Sequence, residues 1–157
     1  MIFLTVGTQF AFDRLVCAVD EAAGDGVVDD EIFAQIGESD YKPVNFEYAK
    51  VLGKYDFDKY VGGADAIIGH AGMGTINAAL DKGKPLLVMP RLRKCGEVVN
   101  DHQVKIAMMF ERLGVVLAAY DARQVADEMQ RLSEFVPVQR ASQCEQVARR
   151  VRQFIDG

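Results

Sequence analysis

The sequence predicts an α/β fold, a doubly wound domain built on a mostly parallel sheet. Short apolar runs of strand length alternate with segments whose apolar residues recur at helical spacing. Apolar strands of this kind are typical of a parallel sheet covered by helices on both faces. The 157 residues, of which 50% are hydrophobic, are enough for one such domain. We therefore expect residues 1–157 to form a single domain.

The first half of the chain predicts four strands and two helices. The run "MIFLTV" is β-branched and aromatic, and Phe12, Leu15, Val16 and Val19 then follow at helical spacing until Gly24. The elements expected in this half are a strand over 1–6, a helix over 12–24, strands over 31–36 and 44–49, a short helix around 57–61 and a strand over 64–69.

The second half predicts two more strands and four helices. Asn100 with Gln103, and Asp121 with Gln124, have the spacing of capping boxes that begin helices. The elements expected are a helix from 76 that ends at Gly83, a strand over 85–90, a helix carrying Val104, Ala107 and Met108, a strand over 115–119, a helix carrying Val125, Met129 and Leu132, and a last helix carrying Cys144, Val147, Val151 and Phe154.

The composition excludes several classes of function. The net charge of −5 and a sequence pI near 5.0 give no bulk support for nucleic-acid binding. Cys17, Cys95 and Cys144 lack C-x-x-C spacing, which favours reduced thiols over a zinc site or disulfides. The chain shows neither a charged leader with an apolar core nor a long apolar run. We expect a cytoplasmic domain.

The stretch "GHAGMGT" (69–75) has three glycines and follows a predicted strand. In parallel sheets, ligands bind beyond the carboxyl ends of the strands, where helix N-termini present free N–H groups. Glycines there allow an anion to approach the backbone, and Thr75 adds a hydroxyl group. The sequence favours an anion site. The alternative is a plain turn whose glycines need a positive φ.

Two further loops should reach the same edge of the sheet, namely residues 7–9 and 90–103. Arg91, Arg93 and Lys94 form a basic cluster that could neutralise a diphosphate without a metal, or could simply be solvated. His70 and His102 also fall in these loops, and we favour ligand contact over a general-base role for both.

Familiar phosphate and metal motifs do not fit. Asn77 occupies the position of the last glycine of a G-x-G-x-x-G motif, and Pro85 after Gly83-Lys84 rules out a Walker A loop. Asp56 and Asp58 form a D-x-D pair, but Asp56 is better explained as the N-cap of a short helix than as a metal ligand.

The segments "TVGTQFAFDRLV" and "ADAIIGHAGMGTINAALDKGKPLLVMPRLRKCGEVVNDHQ" resemble the C-terminal domain of glycosyltransferase family 28. They are most similar to PssE-type subunits of bacterial exopolysaccharide synthesis, and they also resemble the cytosolic subunit of the eukaryotic dolichol-linked GlcNAc transferase. Together they span most of the chain. The resemblance implies the half of a GT-B glycosyltransferase that binds the nucleotide-sugar donor.

The resemblance also implies a set of donor-binding residues in the three loops. With the basic cluster, the expected residues are Gly7, Thr8, Gln9, His70, Ala71, Gly72, Gly74, Thr75, Arg91, Asn100, Asp101, His102 and Gln103. No catalytic residue is assigned, because the base for the acceptor is expected on a partner. The family usually works without a metal, so we expect no metal and no cofactor beyond the UDP-sugar substrate.

The resemblance leads us to expect a UDP-sugar hexosyltransferase subunit that acts on a lipid-linked acceptor in surface-polysaccharide assembly. It would be active only with a membrane-anchored, acceptor-binding partner that holds it at the inner face of the membrane. We expect the last helix, which carries Val147, Val151, Phe154 and Ile155, either to dock on this partner or to pack on the sheet, and the sequence supports both equally.

The alternative function is that of a non-catalytic nucleotide-sugar-binding or regulatory partner, because Ala78 stands where related domains carry an acidic residue. A Rossmann-type oxidoreductase is a distant third.

Overall fold

The sheet has six parallel strands, and the computed structural model describes residues 1–138. The strand order is β3-β2-β1-β4-β5-β6. The strands are β1 (Ile2–Thr5), β2 (Ile32–Gln35), β3 (Glu47–Ala49), β4 (Ala66–His70), β5 (Leu86–Met89) and β6 (Leu117–Ala118). Every strand that the sequence predicts is present and is shorter than predicted, and β4 ends one residue later than expected, at His70.

Five helices lie within the described part of the chain. They are α1 (Asp13–Gly24), α2 (Lys54–Gly63), α3 (Met73–Asp81), α4 (His102–Arg112) and α5 (Val125–Leu132), with 3₁₀ turns at Arg93–Cys95 and Ala122–Gln124. The predicted last helix, and with it the docking surface expected there, lies outside the described residues.

Helices cover both faces of the sheet, which confirms the doubly wound fold. On one face, α1 and α5 pack against the sheet through residues such as Leu15, Val16 and Met129. On the other face, α2, α3 and α4 pack through residues such as Ile76 and Phe110. Both layers consist of apolar side chains at helical spacing, so the periodicity in the sequence predicts which helix faces are buried.

The strand order creates a switch point between β1 and β4. These two strands are paired in register from Ile2 with Ala66 to Thr5 with Gly69. From β1 the chain proceeds outward through β2 and β3, and from β4 it proceeds in the other direction through β5 and β6. The helices that follow β1 and β4 lie on opposite faces, so a crevice opens between their first turns.

Strand β3 begins three residues later than predicted, because a buried carboxylate holds the preceding segment in a loop. Asp20 is 1% exposed, and its Oδ1 accepts hydrogen bonds from the backbone N–H groups of Val44 (3.1 Å) and Asn45 (2.8 Å). Its Oδ2 accepts a 2.8 Å bond from the Tyr41 hydroxyl. These contacts direct the backbone toward α1 before it joins the sheet.

The two predicted capping boxes differ in outcome. The box formed by Asp121 and Gln124 is confirmed, and it begins the 3₁₀ turn before α5. The box formed by Asn100 and Gln103 is wrong. Asp101 is the N-cap residue of α4 and makes no side-chain cap bond, because its carboxylate accepts from another backbone N–H, that of Arg93.

One further helix prediction is wrong. Asp56 lies in the first turn of α2, and Gly53 is the N-cap residue. The predicted helix carrying Val104, Ala107 and Met108 is present as α4, in which Ala107 is buried and Met108 is 49% exposed.

No helix within residues 1–138 is both long and apolar enough to cross a membrane. In the same part of the chain, Cys17 and Cys95 are free thiols.

Candidate functional site

The loops after β1, β4 and β5 meet at the carboxyl edge of the sheet. The ring of His70, the last residue of β4, lies against Gly7 in the loop after β1. Arg91 follows β5, and its side chain reaches the carbonyl oxygens of Val6 and Phe10 on either side of that same loop. The structure therefore brings together the three loops that the sequence predicts to share one edge.

The imidazole of His70 occupies space that two glycines leave open. A Cβ on Gly7 would lie 3.1 Å from His70 Cε1, and a Cβ on Gly72 would overlap His70 Nε2. Gly7 also adopts a φ of +77°, which residues with a side chain rarely adopt. Both positions thus require glycine because the His70 ring occupies the space that a side chain would need.

Gly69 allows the first turn of α3 to pack closely on the sheet. A Cβ there would lie 2.7 Å from Thr75 Cγ2 and 3.0 Å from the Thr5 carbonyl oxygen. Thr75 is 7% exposed, and its Oγ1 lies 3.4 Å from His70 Nδ1. The expected hydroxyl group is therefore directed at His70.

The alternative of a glycine turn with positive φ is wrong for residues 69–75. Gly69, Gly72 and Gly74 are not among the glycines with positive φ, and Gly72 has a φ of −91°. Close packing explains the first two glycines. Gly74 is different, because a Cβ at this position would meet nothing within 4 Å. A glycine in a helix is less stable than alanine by roughly 0.5–1 kcal/mol, so the fold alone does not account for Gly74.

His70 is a neutral residue at physiological pH. Its burial, together with the positive charge of Arg91, lowers its pKa from 6.5 to about 4. A neutral imidazole offers one donor and one acceptor nitrogen and no positive charge. His70 can orient a polar ligand but cannot neutralise a phosphate.

Arg91 is the most deeply buried cation of the basic cluster. It is 3% exposed, and its Nη2 donates 2.7 Å hydrogen bonds to the carbonyl oxygens of Val6 and Phe10. Its guanidinium carbon lies 5.0 Å from the ring centre of Phe12 and 5.9 Å from that of Phe10. Burial lowers its pKa to about 10, so the group is charged at neutral pH. Arg93 and Lys94 are exposed.

An ion pair that sequence reasoning missed fastens the loop after β5 to α1. Arg14 donates to both carboxylate oxygens of Glu97 at 2.9 Å and also to the Pro90 carbonyl oxygen. Glu97 in turn accepts a 2.8 Å bond from the Leu92 N–H. The partners are 83 positions apart, so no local pattern could have identified them.

Of the remaining predicted residues, some are exposed, and others are buried or already form hydrogen bonds within the protein. Thr8, Gln9 and His102 are exposed. Gln103 Oε1 accepts a 3.1 Å bond from the Arg91 N–H, and Asn100 Oδ1 accepts from the His102 N–H. Ala71 is fully buried, and its N–H donates to the Met89 carbonyl oxygen. A donor-binding role for these residues stays a prediction.

The position that Ala78 occupies in α3 is half-buried and apolar. Ala78 packs against the core on the α3 face, whereas Asn77 beside it is exposed.

Within residues 1–138, no group of three or more His, Cys, Asp and Glu side chains is arranged to hold a metal ion.

The order of the strands and the crevice at their switch point define a Rossmann-like α/β domain, a class that binds ligands at this edge. Residues 1–154 match the family described as "Glycosyltransferase family 28 C-terminal domain". The chain belongs to this family.

Two curated relatives are subunits of a UDP-N-acetylglucosamine transferase, both named ALG13. The chain is 33% identical to the Candida albicans protein over 85 residues, which are 54% of this chain and 26% of the relative. It is 32% identical to the Homo sapiens protein over 129 residues, covering 72% of this chain and 10% of the relative. The chain thus spans at most about a quarter of either relative.

Solved structures share the fold. A solution structure of ALG13 has a TM-score of 0.62 at 20% identity, covering 90% of this chain and 89% of that one. The glycosyltransferase SnogD from Streptomyces nogalater has a TM-score of 0.61 at 24% identity, covering 97% of this chain and 38% of that one.

Proposed function

We propose that the chain is the donor-binding subunit of a two-component glycosyltransferase. It would bind a UDP-sugar and, with its partner, move a hexose to a lipid-linked acceptor during surface-polysaccharide assembly, as the resemblance to PssE-type subunits implies. The observation that carries this proposal is the first turn of α3, where Gly74 leaves the approach to the helix N-terminus open.

The chemistry of that turn suits a diphosphate. The N-cap residue before α3 is Gly72, which offers no side-chain cap to the first N–H groups of the helix. Such groups bind anions, and the helix dipole adds favourable partial charge. The exposed Thr8 and Gln9 lie in the neighbouring loop, and the neutral His70 forms the floor between the two loops.

The names of the relatives support a partner. Both ALG13 relatives are named as transferase subunits. We propose a membrane-anchored, acceptor-binding subunit that supplies the other half of the cleft. The chain would then be cytoplasmic and would reach the inner face of the membrane through this partner.

We also propose that transfer needs neither a metal nor another cofactor. The diphosphate would be stabilised by backbone N–H groups and by protein cations instead. The base that accepts the proton of the acceptor hydroxyl would lie on the partner, since His70 is committed to the packing between Gly7 and Gly72.

Two measurements test this proposal. Calorimetry in EDTA should show UDP binding, and strict dependence on Mg²⁺ or Mn²⁺ would contradict the metal-free site. Transfer of labelled sugar to a lipid-linked acceptor should require the chain together with its co-expressed membrane subunit. Robust turnover by the chain alone would falsify the two-component proposal.

A second candidate is a non-catalytic nucleotide-sugar-binding or regulatory partner. The observation that favours it is Ala78, which offers no carboxylate to a ribose and packs on the core instead. Under this alternative, the chain binds UDP-sugar but its complex with the membrane subunit transfers no sugar. The same transfer assay therefore separates the two candidates.

A further inference from the structure

Arg91 is a buried charge without a carboxylate partner of its own. Its Nη2 bonds only backbone carbonyl oxygens, and its Nε has no hydrogen-bond partner within the described residues 1–138. Removing a charge from water costs several kcal/mol unless that charge is well paired. The protein nevertheless buries this one, so a benefit must offset the cost.

The surroundings leave the positive charge largely uncompensated. The carboxylate of Glu97 is bonded on both oxygens by Arg14. Glu97 also acts on Arg91, so the two guanidinium groups share this one carboxylate. Asp121, the other carboxylate that acts on Arg14, is itself bonded by Arg123. The aromatic rings of Phe10 and Phe12 pack against Arg91 and help to exclude water from it.

Arg91 is connected to each of the three loops of the candidate site. Its side chain fastens both ends of the loop after β1, and its own N–H donates to Gln103 in the first turn of α4. Its charge also acts on His70 in the loop after β4. A charge in a region of low dielectric constant acts over a longer distance than a charge at the surface.

We propose that Arg91 attracts the donor diphosphate from below the loops, through its electrostatic field and without a direct contact, while it holds the loop after β1 in place. This inference rests on the proposed function. It assigns to one buried residue the charge that a metal-free site needs, because a helix N-terminus provides only about half a positive charge. Arg91 is accordingly a positioning and electrostatic residue and not a diphosphate ligand.

The test compares two ligands that differ by the diphosphate group, which carries the negative charge. Uridine and UDP are titrated into the chain, and the ratio of their affinities is measured for wild type and Arg91→Met. We expect this ratio to fall about tenfold, on the order of what one charge contributes across several ångströms at an effective dielectric constant of about 20. Arg112→Met, at the far end of α4, makes the same change in net charge at an exposed position and should leave the ratio unchanged.

A second readout needs no ligand. The pKa of His70, followed by NMR of the imidazole, should rise in Arg91→Met, because the charge of Arg91 lowers it in wild type. Should Arg91→Met fail to fold, Arg91→Lys takes its place. Lysine keeps the charge without the guanidinium fork, so the UDP-to-uridine ratio should stay within about threefold of wild type. Both affinities should fall together, because the loop contacts of the guanidinium group are lost.

The possible failures are distinguishable. An equal loss of uridine and UDP affinity in folded Arg91→Met would show a purely structural role and overturn the inference. A reduced UDP-to-uridine ratio in Arg91→Lys would overturn it as well. Absence of UDP binding by the wild-type chain would instead overturn the proposed function.

Discussion

The loop after β4 and the loop after β5 reach the same edge of the sheet but are held in place by different physical means. In the loop after β4, the positions of His70 and Thr75 are set by close packing against glycines. In the loop after β5, residues 91–103 are held by side chains that bond backbone groups, such as Gln103 to Arg91 and Asp101 to Arg93. The first loop is shaped by steric fit and the second by polar contacts.

This difference separates residues that maintain the site from residues available to a ligand. A loop shaped by packing has few free side chains, so a ligand meets its backbone. A loop shaped by polar contacts can leave some side chains exposed, as His102 is. Variants that disrupt one kind of support should therefore have effects that the other kind does not reproduce.

The largest loss of stability is expected from Glu97→Ala, which removes the ion pair between the loop after β5 and Arg14 of α1. Glu97 is 10% exposed and its partner Arg14 is 21% exposed, so the variant leaves a largely buried cation unpaired. We expect the free energy of unfolding to fall by about 3 kcal/mol, at the low end for a broken buried ion pair. Denaturant unfolding measures this change.

Asp101→Ala is the matched control in the same loop. Its carboxylate bonds the Arg93 N–H at an exposed position, so we expect a loss of only about 0.5–1 kcal/mol. Equal losses in the two variants would show that burial of the Arg14–Glu97 pair does not govern the stability of this loop.

A somewhat smaller loss in the free energy of unfolding is expected when His70 is protonated as the pH falls. The pKa of His70 is about 4 in the folded protein and close to 6.5 when unfolded, so the unfolded chain binds more protons between these values. The stability contributed by the neutral ring is complete above pH 6.5 and is lost as the pH falls toward 4. The loss amounts to about 2–3 kcal/mol.

His70→Gln isolates this contribution from that of the carboxylates. Unfolding curves recorded between pH 7 and 4 should converge for wild type and variant as the pH falls, since only the wild type loses stability through this ring. Parallel curves would mean that His70 titrates normally and that its packing against Gly7 and Gly72 does not exclude water.

The strands and loop positions could be predicted because their signals are local. Apolar runs mark β1, β4 and β5, and the glycines at 7 and 69–74 mark where the chain leaves the sheet. The pairing of Arg14 with Glu97 could not be predicted, because it forms across 83 positions once α1 and the loop after β5 have docked. The burial of Arg91 could not be predicted either, because an arginine in a loop is ordinarily solvated.

The roles of the glycines could be predicted only in part. The sequence identifies Gly69, Gly72 and Gly74 as a group, but their separate roles depend on where the His70 ring and the Thr75 side chain lie. The rotamer of His70 follows from tertiary packing and has no signature in the sequence. The structure was therefore needed to distinguish glycines that the fold requires from one that it does not.

The smallest change in stability, and the sharpest test of the comparison, is expected from Gly74→Ala. A Cβ at this position meets no protein atom within 4 Å, so the variant should be more stable by about 0.5–1 kcal/mol, the ordinary gain of alanine over glycine in a helix. The new methyl group would stand where we propose that the diphosphate approaches the first N–H groups of α3. UDP binding should weaken by about 1–2 kcal/mol, the size of a hydrogen bond that can no longer form.

Gly72→Ala is the matched control, because its Cβ overlaps the His70 ring, and it should instead destabilise the fold by about 2 kcal/mol. Denaturant unfolding and UDP calorimetry on both variants measure the two quantities together. Gain of stability with unchanged UDP affinity in Gly74→Ala would place the diphosphate away from this turn, and the open space at Gly74 would then need another explanation.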